Sequence, residues 1–412
     1  MSVRKLSARL AAMPLVAIMT LAATATHAAD NAVTDKTPRI TVSGKNFVDG
    51  QGKTIQLRGA NISGLEYIAV QGWSANDPSD NRYSAKVLDT LVSWKANVVR
   101  LPLNQASWLG YQCVDGLGKV VNPDPGRNYQ DTVKKIVDRA TSAGLYIIVD
   151  LHWTAPDDAA RAVGNVKAMC PMGQNPMPDA DHSEAFWTSI AKTFKDYPNV
   201  MFELFNEPFF DWKSGLKSDW SVLRDGGTFS GYVTGQGMEK NPWKAIGFQA
   251  LINTVRQTGA TNVLLLSGPD WAKRLDGWLL NKPTDPLKQI AAVWHAYSAW
   301  GTKWGTDAYT LPNYGNDAFT WVEDIVAANI PVIITEIGDR NANGTKGSPF
   351  VSKVLPWADR NNISYLGWTF NVWPDNSEHV LLKDVGGTPT DGYGQYFKQH
   401  LACVAGGKGN CP

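Results

Sequence analysis

Two glutamates that follow apolar runs in similar short motifs are the first residues of this chain that point to chemistry. Glu207 lies in Leu204-Phe205-Asn206-Glu207-Pro208, and Glu336 lies in Ile333-Ile334-Thr335-Glu336-Ile337-Gly338. Two carboxyl groups that flank one glycosidic bond can hydrolyse it, because one protonates the leaving oxygen and the other attacks the sugar or activates water. The motifs therefore predict a two-carboxylate hydrolase if the fold brings both glutamates to one place.

The elements that must position these glutamates are eight apolar, β-rich segments, most of them separated by stretches with helical spacing. Several are continuous apolar runs, which are typical of parallel strands covered on both faces. This order predicts an α/β protein, a single-domain (β/α)8 TIM barrel with long loops at its carboxyl-end face. The predicted strands are Thr54–Asn61, Asn97–Leu103, Leu145–His152, Val200–Glu207, Asn262–Gly268, Ala291–Tyr297, Pro331–Glu336 and Ile363–Phe370.

Helical spacing recurs in the intervening segments, and Gly144 and Gly259 stand where two of the helices should end. Upstream, residues 40–48 predict a small hairpin that closes the barrel floor. A doubly wound open sheet is the competing fold, but it would need a glycine-rich phosphate loop after an early strand, and the sequence has none. The predicted helices are Ser84–Lys95, Gln130–Ala143, Ser183–Lys195, Pro242–Thr258, Phe319–Ala328 and Val351–Asn361.

Polar and aromatic residues collect at the carboxyl ends of the predicted strands, where barrels of this type carry their chemistry. Strands two to four end near Arg100, His152 with Trp153, and Asn206 with Glu207; strands six to eight end near His295 with Tyr297, Glu336 and Trp368. In this ordered set the chain resembles family 5 of the glycoside hydrolases, a cellulase-like family of retaining β-glycosidases. The resemblance covers residues 38–400.

The resemblance implies a role for each matched residue. Glu207 is expected to be the acid/base, with a pKa raised by burial and by the second carboxylate. Glu336 is expected to be the nucleophile, kept ionised by Arg100 and Tyr297, with the carboxyl groups about 5 to 5.5 Å apart. The remaining expectations are that Asn206 donates to the sugar 2-hydroxyl, His152 and His295 orient the substrate or the carboxylates, and Trp368 forms the floor of the reacting subsite.

Tryptophan is abundant, with seventeen in 412 residues, and many are in loops. An aromatic face matches the apolar face of a sugar ring, so those after strand ends suit stacking platforms. Trp153 is the favoured platform, followed by Trp212 and Trp300, although core packing is as frequent a use for any one of them. The long insertions that should form the cleft walls are Gly110–Asn128, Thr154–Asp181 and Phe209–Met238.

Residues 1–29 have the pattern of a secretory signal peptide, with three cations before the apolar stretch Leu10–Leu21 and a small-residue region Ala22–Ala29. The apolar run is shorter than the roughly 20 residues that a spanning helix requires, which disfavours an uncleaved anchor. The expectation is a secreted protein, extracellular or periplasmic, whose residues 30–412 form one catalytic domain. Four cysteines in an exported chain favour two disulfides, and Cys403 with Cys411 and Cys113 with Cys170 are one of three possible pairings.

Removal of the three signal cations changes the formal charge from +1 to −2. This balance argues against nucleic acid or an anionic membrane as a partner and suits a neutral polysaccharide or oligosaccharide substrate. We expect no cofactor, and we expect the protein to be a monomer. A catalytic metal is disfavoured because the chain lacks a His-Glu-x-x-His helix and a tight His/Cys cluster.

Three questions remain open at this point. Glu203 shares strand parity with Glu207, and a structural role is favoured for it. The function is expected to be that of an endo-β-1,4-glucanase, but mannanase, xyloglucanase or another β-glycosidase of the same family remains possible, because specificity lies in the loops. A noncatalytic carbohydrate-binding barrel is the alternative of a different class, and against it no member of the ordered set is missing.

Overall fold

Eight parallel strands close into a barrel in the computed structural model, which confirms the predicted fold class. The barrel strands are β1 (Arg58–Asn61), β2 (Val98–Asn104), β3 (Tyr146–Trp153), β4 (Val200–Glu203), β5 (Leu264–Ser267), β6 (Ile290–Tyr297), β7 (Val332–Gly338) and β8 (Ser364–Gly367). The structure describes residues 38–67, 82–111, 126–154, 160–163, 166–169, 174–210, 220–234, 237–239, 242–298, 312–339, 348–373, 379–407 and 411.

Helices connect the strands and cover the outside of the barrel, as the alternating pattern predicts. Gly144 and Gly259 follow the helices Arg127–Ser142 and Phe248–Gln257 with φ of +79° and +83°, the left-handed conformation in which glycine carries no steric cost. None of the helices among the described residues is long and apolar enough to cross a membrane. They are α1 (Ala85–Ser93), α2 (Gln105–Leu109), α3 (Arg127–Ser142), α4 (Ser183–Phe194), α5 (Trp220–Asp225), α6 (Phe248–Gln257), α7 (Pro269–Ala272), α8 (Trp278–Asn281), α9 (Asn316–Ala327), α10 (Val351–Arg360) and α11 (Tyr393–Ala405).

Two predicted segments are divided differently in the structure. Only Arg58–Asn61 of the first predicted strand joins the barrel, whereas Thr54–Ile55 pairs with Asn46–Val48 in the small antiparallel sheet. The predicted helix Pro242–Thr258 begins with a strand, Trp243–Ile246, that pairs with Gly226–Phe229. Gly247 separates this strand from α6, and a Cβ there would lie 2.3 Å from the Arg224 carbonyl oxygen. Helical periodicity does not reveal such a close backbone approach.

Further short strands lie outside the barrel. The N-terminal sheet pairs Thr41–Ser43 with Asn46–Val48 and confirms the predicted hairpin. Two other antiparallel pairs join Ala160–Val163 to Val166–Met169 and Tyr232–Thr234 to Gly237–Glu239.

The barrel interior changes from apolar to polar along the strand direction. Phe47 of the N-terminal sheet and Ile40, directly before it, pack against the apolar inner layer, so this sheet closes the floor as predicted. Side chains two residues apart on a strand face the same side. The inner apolar residues Val98, Ile148, Met201 and Val293 are therefore each followed, one step nearer the carboxyl end, by Arg100, Asp150, Glu203 and His295.

Candidate active site

Arg100 is the hub of the polar layer at the carboxyl end of the barrel. Its side chain is fully buried, and its Nε lies 2.6 Å from Glu203 Oε2. Nη1 donates to Glu336 Oε1 at 2.7 Å, and Nη2 donates to Asn206 Oδ1 at 2.7 Å. Nη2 also lies 2.9 Å from Asp150 Oδ2. One cation thus links side chains from β2, β3, β4 and β7 and the segment after β4.

Glu336 receives two hydrogen bonds through different oxygens. Arg100 contacts Oε1, and the Tyr297 hydroxyl donates to Oε2 at 2.8 Å. Donors of this kind stabilise the charged form of a carboxylate. The contacts that the sequence predicted for Glu336 are therefore present.

A β-bulge in β7 lets two consecutive residues take part in the site. The register with β6 pairs Trp294 with Ile334 and then His295 with Glu336, so Thr335 is the extra residue. The Thr335 hydroxyl contacts the Glu203 carboxylate, while Glu336 reaches Arg100 and Tyr297. Strict alternation would have placed these neighbours on opposite faces of the strand.

Glu207 lies beyond the end of its strand and faces His295. β4 ends at Glu203, so the predicted strand is too long by four residues. In the next segment the Ser267 hydroxyl donates to the carbonyl oxygens of Phe205 and Asn206, at 2.8 and 2.9 Å, in place of a strand neighbour. The Glu207 side chain is 16% exposed, and its Oε1 lies 2.8 Å from His295 Nδ1.

The carboxylates of Glu207 and Glu336 lie close together at the mouth of the barrel. One carboxylate oxygen of Glu207, one of Glu336 and a ring nitrogen of His295 all lie within 4.8 Å of one another. Inverting glycosidases separate their carboxyl groups by about 6.5–9.5 Å, and retaining ones by about 5–5.5 Å. The distance between the nearest carboxylate oxygens is on the retaining side of this division.

The raised pKa that was expected on Glu207 is found on His295 instead. Burial opposes a charge on His295, but the carboxylates of Glu336, Glu203 and Glu207 outweigh it and raise its pKa to about 10. Burial would raise the pKa of Glu207, but the hydrogen bond and charge of His295 lower it. The expected rise in the pKa of Glu207 was wrong. It took account of the Glu336 carboxylate but not of the His295 imidazolium that this carboxylate stabilises.

His152 and Asn206 form a second small network beside Arg100. His152 Nδ1 lies 2.6 Å from Asp150 Oδ2, and its Nε2 lies 3.4 Å from Asn206 Nδ2. Because Arg100 donates to Asn206 Oδ1, the amide nitrogen points toward His152 as a donor. Burial lowers the pKa of His152, which agrees with a neutral ring that accepts at Nε2.

The aromatic residues at the mouth differ in their exposure. Trp368 is half-buried, and its ring stacks on His152 with centroids 5.8 Å apart and planes 6° apart. Trp153 is also half-buried, on the last residue of β3. Trp212 and Trp300 lie outside the described residues, as do Cys113 and Cys170.

Trp271 is an exposed aromatic residue that the sequence did not single out. It is 38% exposed and stacks on Phe209 with centroids 5.0 Å apart and planes 9° apart. Its amide donates to the carbonyl oxygen of Pro208 at 2.9 Å, directly after Glu207. Asp270, Trp271 and Ala272 all have φ near +57° (58°, 56° and 56°), so α7 is in fact a left-handed turn. Its position after a strand end was the signal available in the sequence.

Glu66 is a buried acid close to His152 that the sequence analysis did not single out. It follows β1, is 3% exposed, and accepts hydrogen bonds from the Ser63 hydroxyl and, at 2.7 Å, from the Gly64 amide. Burial raises its pKa, and the hydrogen bonds that it accepts from Ser63 and Gly64 oppose this. An isolated acid in an apolar stretch after the first strand was the available signal.

Two groups of side chains among the described residues have the spacing of metal ligands. One is Glu207, His295 and Glu336, and the other is Asp179, Asp181 and His182. In the first group, hydrogen bonds within the protein already engage the facing atoms of Glu207 and His295. In the second, Asp179 accepts from the amide and ring of His182 at the start of α4. Cys403 and Cys411 form the disulfide expected for the C-terminal pair.

Comparison with known proteins gives the family. The cellulase model of glycosyl hydrolase family 5 matches residues 48–373. An endoglucanase of Halalkalibacter akibai is 26% identical over 338 residues, 78% of this chain and 34% of the relative. An endoglucanase of Clostridium saccharobutylicum is 23% identical over 380 residues, 91% of this chain and 66% of the relative. The chain thus spans about a third (34%) of the first relative and 66% of the second.

Solved structures share the fold at low sequence identity. A β-glucanase from Saccharophagus degradans, solved in complex with cellotetraose, superposes with a TM-score of 0.59 at 20% identity, over 89% of this chain and 94% of that one. The catalytic domain of a Thermobifida fusca endoglucanase gives a TM-score of 0.52 at 18% identity, over 88% and 97%. With the family match over residues 48–373, the chain belongs to glycoside hydrolase family 5.

Proposed function

We propose that this protein hydrolyses β-linked glycans with retention of configuration, as an endo-β-1,4-glucanase. The observation that carries the proposal is the approach of one Glu207 oxygen and one Glu336 oxygen to within 4.8 Å. That separation accommodates a covalent glycosyl-enzyme and not an interposed water molecule.

Glu336 is the proposed nucleophile. Its two oxygens accept hydrogen bonds from Arg100 and Tyr297, which fix the direction from which the carboxylate attacks. Glu207 is the proposed acid/base, because its side chain is more exposed than that of Glu336, at 16% against 5%, and its Oε1 lies 2.8 Å from His295 Nδ1. After attack, Glu207 takes a proton from the water that releases the sugar.

The aromatic side chains suit the two sides of the scissile bond. Trp368 stacks beside His152 and is the proposed floor for the sugar that reacts with Glu336. The Trp271 amide donates a hydrogen bond to the carbonyl oxygen of Pro208, the residue after Glu207, so Trp271 is the proposed platform on the leaving-group side. The flat faces of both indoles match the apolar faces of β-linked pyranose rings.

The two relatives at 26% and 23% identity are named endoglucanases, and this supports a β-1,4-glucan as the substrate. The test is release of reducing sugar from carboxymethyl cellulose, mannan, xyloglucan and laminarin. Rapid loss of viscosity on carboxymethyl cellulose is expected for internal cleavage. A preference for mannan or xyloglucan would move the activity to another glycan within the family.

The catalytic roles have separate tests. Glu336→Gln is expected to abolish hydrolysis and to leave oligosaccharide binding largely intact, and turnover by this variant would refute the assignment of the nucleophile. Proton NMR of the first products should show the β-anomer, because two displacements restore the configuration. Activity should be unchanged in EDTA, whereas its loss would point to a metal-dependent hydrolase.

Secretion is part of the proposal. We expect the mature protein to begin near Asp30 after removal of the signal peptide. Mass spectrometry of protein recovered from the medium or the periplasm checks this. A protein that retains residues 1–29 in the membrane fraction would contradict it.

A further inference from the structure

A line of buried hydrogen bonds runs from the barrel core to the Glu207 carboxylate. Glu203 Oε1 lies 2.9 Å from the Thr335 hydroxyl oxygen, which lies 3.0 Å from His295 Nε2. His295 Nδ1 in turn lies 2.8 Å from Glu207 Oε1. Glu203 and Thr335 are fully buried and His295 is 1% exposed, so this line is shielded from solvent.

The direction of each hydrogen bond follows from the first group in the line. Glu203 is paired with the Arg100 guanidinium through both oxygens, at 2.6 and 3.2 Å, and is therefore an ionised acceptor with no proton to give. The Thr335 hydroxyl has one proton and must donate it to Glu203. Its oxygen can then only accept from His295, so Nε2 carries a proton.

This assignment leaves one ring atom free to gain or lose a proton. With Nε2 protonated, a proton between Nδ1 and Glu207 Oε1 is shared by the pair, which is either imidazolium with carboxylate or neutral imidazole with carboxylic acid. We propose that Glu203 and Thr335 are positioning residues for the acid: they hold the Nε2 proton of His295, so that Nδ1 and Glu207 share the proton delivered to the leaving oxygen.

The proton balance over one turnover is simple. The pair of His295 and Glu207 loses one proton when the glycosidic oxygen leaves as a hydroxyl group. A Glu207 carboxylate and a neutral His295 ring remain. The pair regains one proton from the water that attacks the glycosyl-enzyme. No oxidant, reductant or further reactant is needed.

The charges around the ring favour retention of the shared proton at neutral pH. Glu203, Glu207 and Glu336 face His295 from β4, the segment after β4, and β7, with Glu336 Oε2 3.6 Å from Nδ1. Asp150 also interacts electrostatically with His295, and Arg100 neutralises part of this acidic group. Three facing carboxylates therefore stabilise the imidazolium more than the single guanidinium opposes it.

The kinetic test uses aryl β-cellobiosides and so rests on the proposed function. Thr335→Val removes the hydroxyl and keeps the shape. It should slow hydrolysis of a cellobioside with a poor leaving group, such as phenol, at least about tenfold, because one charge-assisted hydrogen bond is lost. The 2,4-dinitrophenyl cellobioside, whose leaving group needs no proton, should react nearly as fast as with the wild type.

The pH profile gives a second readout of the same variant. The alkaline limb of kcat/KM should move down by about one pH unit, since the imidazolium loses its Nε2 acceptor. Thr335→Ser, which keeps the hydroxyl, should restore both the limb and the rate. The matched control is Thr390→Val. The hydroxyl of this buried threonine donates to the Val380 carbonyl oxygen and accepts from the Gly394 amide, and its removal should change neither the limb nor the rate. An unchanged profile and leaving-group ratio in Thr335→Val would overturn the proposal.

Nitrogen-15 NMR of the histidine rings tests the protonation without any activity. The chain has six histidines, and His295→Gln assigns the resonance. Nε2 of His295 should be protonated at pH 7 in the wild type, and an unprotonated Nε2 would overturn the inference. If the wild type hydrolyses no cellobioside, the proposed function fails while this spectrum still decides the role of Thr335. The wild-type spectrum also decides it if Thr335→Val folds poorly.

Discussion

Replacement of Arg100 by methionine is the sharpest test of how the barrel mouth is held together. The variant keeps the length and apolar stem of the side chain but removes a fully buried guanidinium. It deprives three carboxylates and two amides of a donor: Asp150, Glu203, Glu336, Asn61 and Asn206. Removal of one partner of a buried ion pair costs roughly 3–5 kcal/mol of unfolding free energy, because the other charge stays buried without compensation.

The loss should depend on pH in a defined direction. Burial would raise the pKa of Glu203, but Arg100 and then His295 lower it below the usual value of 4.5. A lowered folded-state pKa contributes stability above the unfolded pKa, and this stability disappears as the pH falls through the folded value. The difference between wild type and Arg100→Met should therefore be largest near neutral pH and should shrink below about pH 4.

Urea unfolding monitored by tryptophan fluorescence at neutral and acidic pH measures both effects. The control is Arg256→Met, which breaks another largely buried pair, with Asp285 at 2.8 Å, outside the polar layer of the barrel. This control should lose stability but retain hydrolytic activity, whereas Arg100→Met should lose both. A loss for Arg100→Met within about 1 kcal/mol, the range of an exposed pair, or an equal loss at both pH values would refute the reasoning.

Three further variants test single contacts. Tyr297→Phe removes one of the two donors to Glu336 and should lower kcat/KM by about 10- to 100-fold, as steady-state kinetics would show; an unchanged value would contradict this role. Trp271→Ala should raise KM for long cello-oligosaccharides about tenfold and spare aryl cellobiosides; equal effects on both substrates would exclude a leaving-side platform. Cys403→Ser with Cys411→Ser removes a disulfide between residues with a sequence separation of 8 and should lower the unfolding free energy by up to about 2.5 kcal/mol. Denaturant unfolding measures this loss, and an unchanged midpoint would contradict the prediction.

The strand order and the meeting of the two glutamates follow from local patterns. Continuous apolar runs alternate with amphipathic segments, and in a parallel barrel all carboxyl ends lie at one mouth. Arg100, His152, His295 and Tyr297 could be placed for the same reason, since each ends an apolar run. Boundaries were less accurate, as at Glu203, because the strand stops where the Ser267 side chain takes over the backbone carbonyl groups.

Other features depend on contacts between segments distant in the chain. The bulge at Thr335 depends on the register between β6 and β7, and the left-handed turn at Trp271 is held by Pro208 and Phe209. Neither leaves a periodic trace in the sequence. The Cys403–Cys411 disulfide joins two residues that are close in the chain, but the sequence left this pairing as one of three, and the structure shows it.

By itself, the sequence determined that this chain forms an eight-stranded barrel with Glu207 and Glu336 at one mouth, because periodicity and order along the chain are enough to place strand ends. Only the tertiary structure decided which group of the site has the raised pKa. Proton affinity depends on charges within a few ångströms, and those around His295 come from Glu203, Glu207 and Glu336, on separate segments of the chain. The raised pKa was expected on Glu207, but in the folded barrel the surrounding carboxylates raise the pKa of His295, and the hydrogen bond and charge of His295 lower that of Glu207 despite its burial.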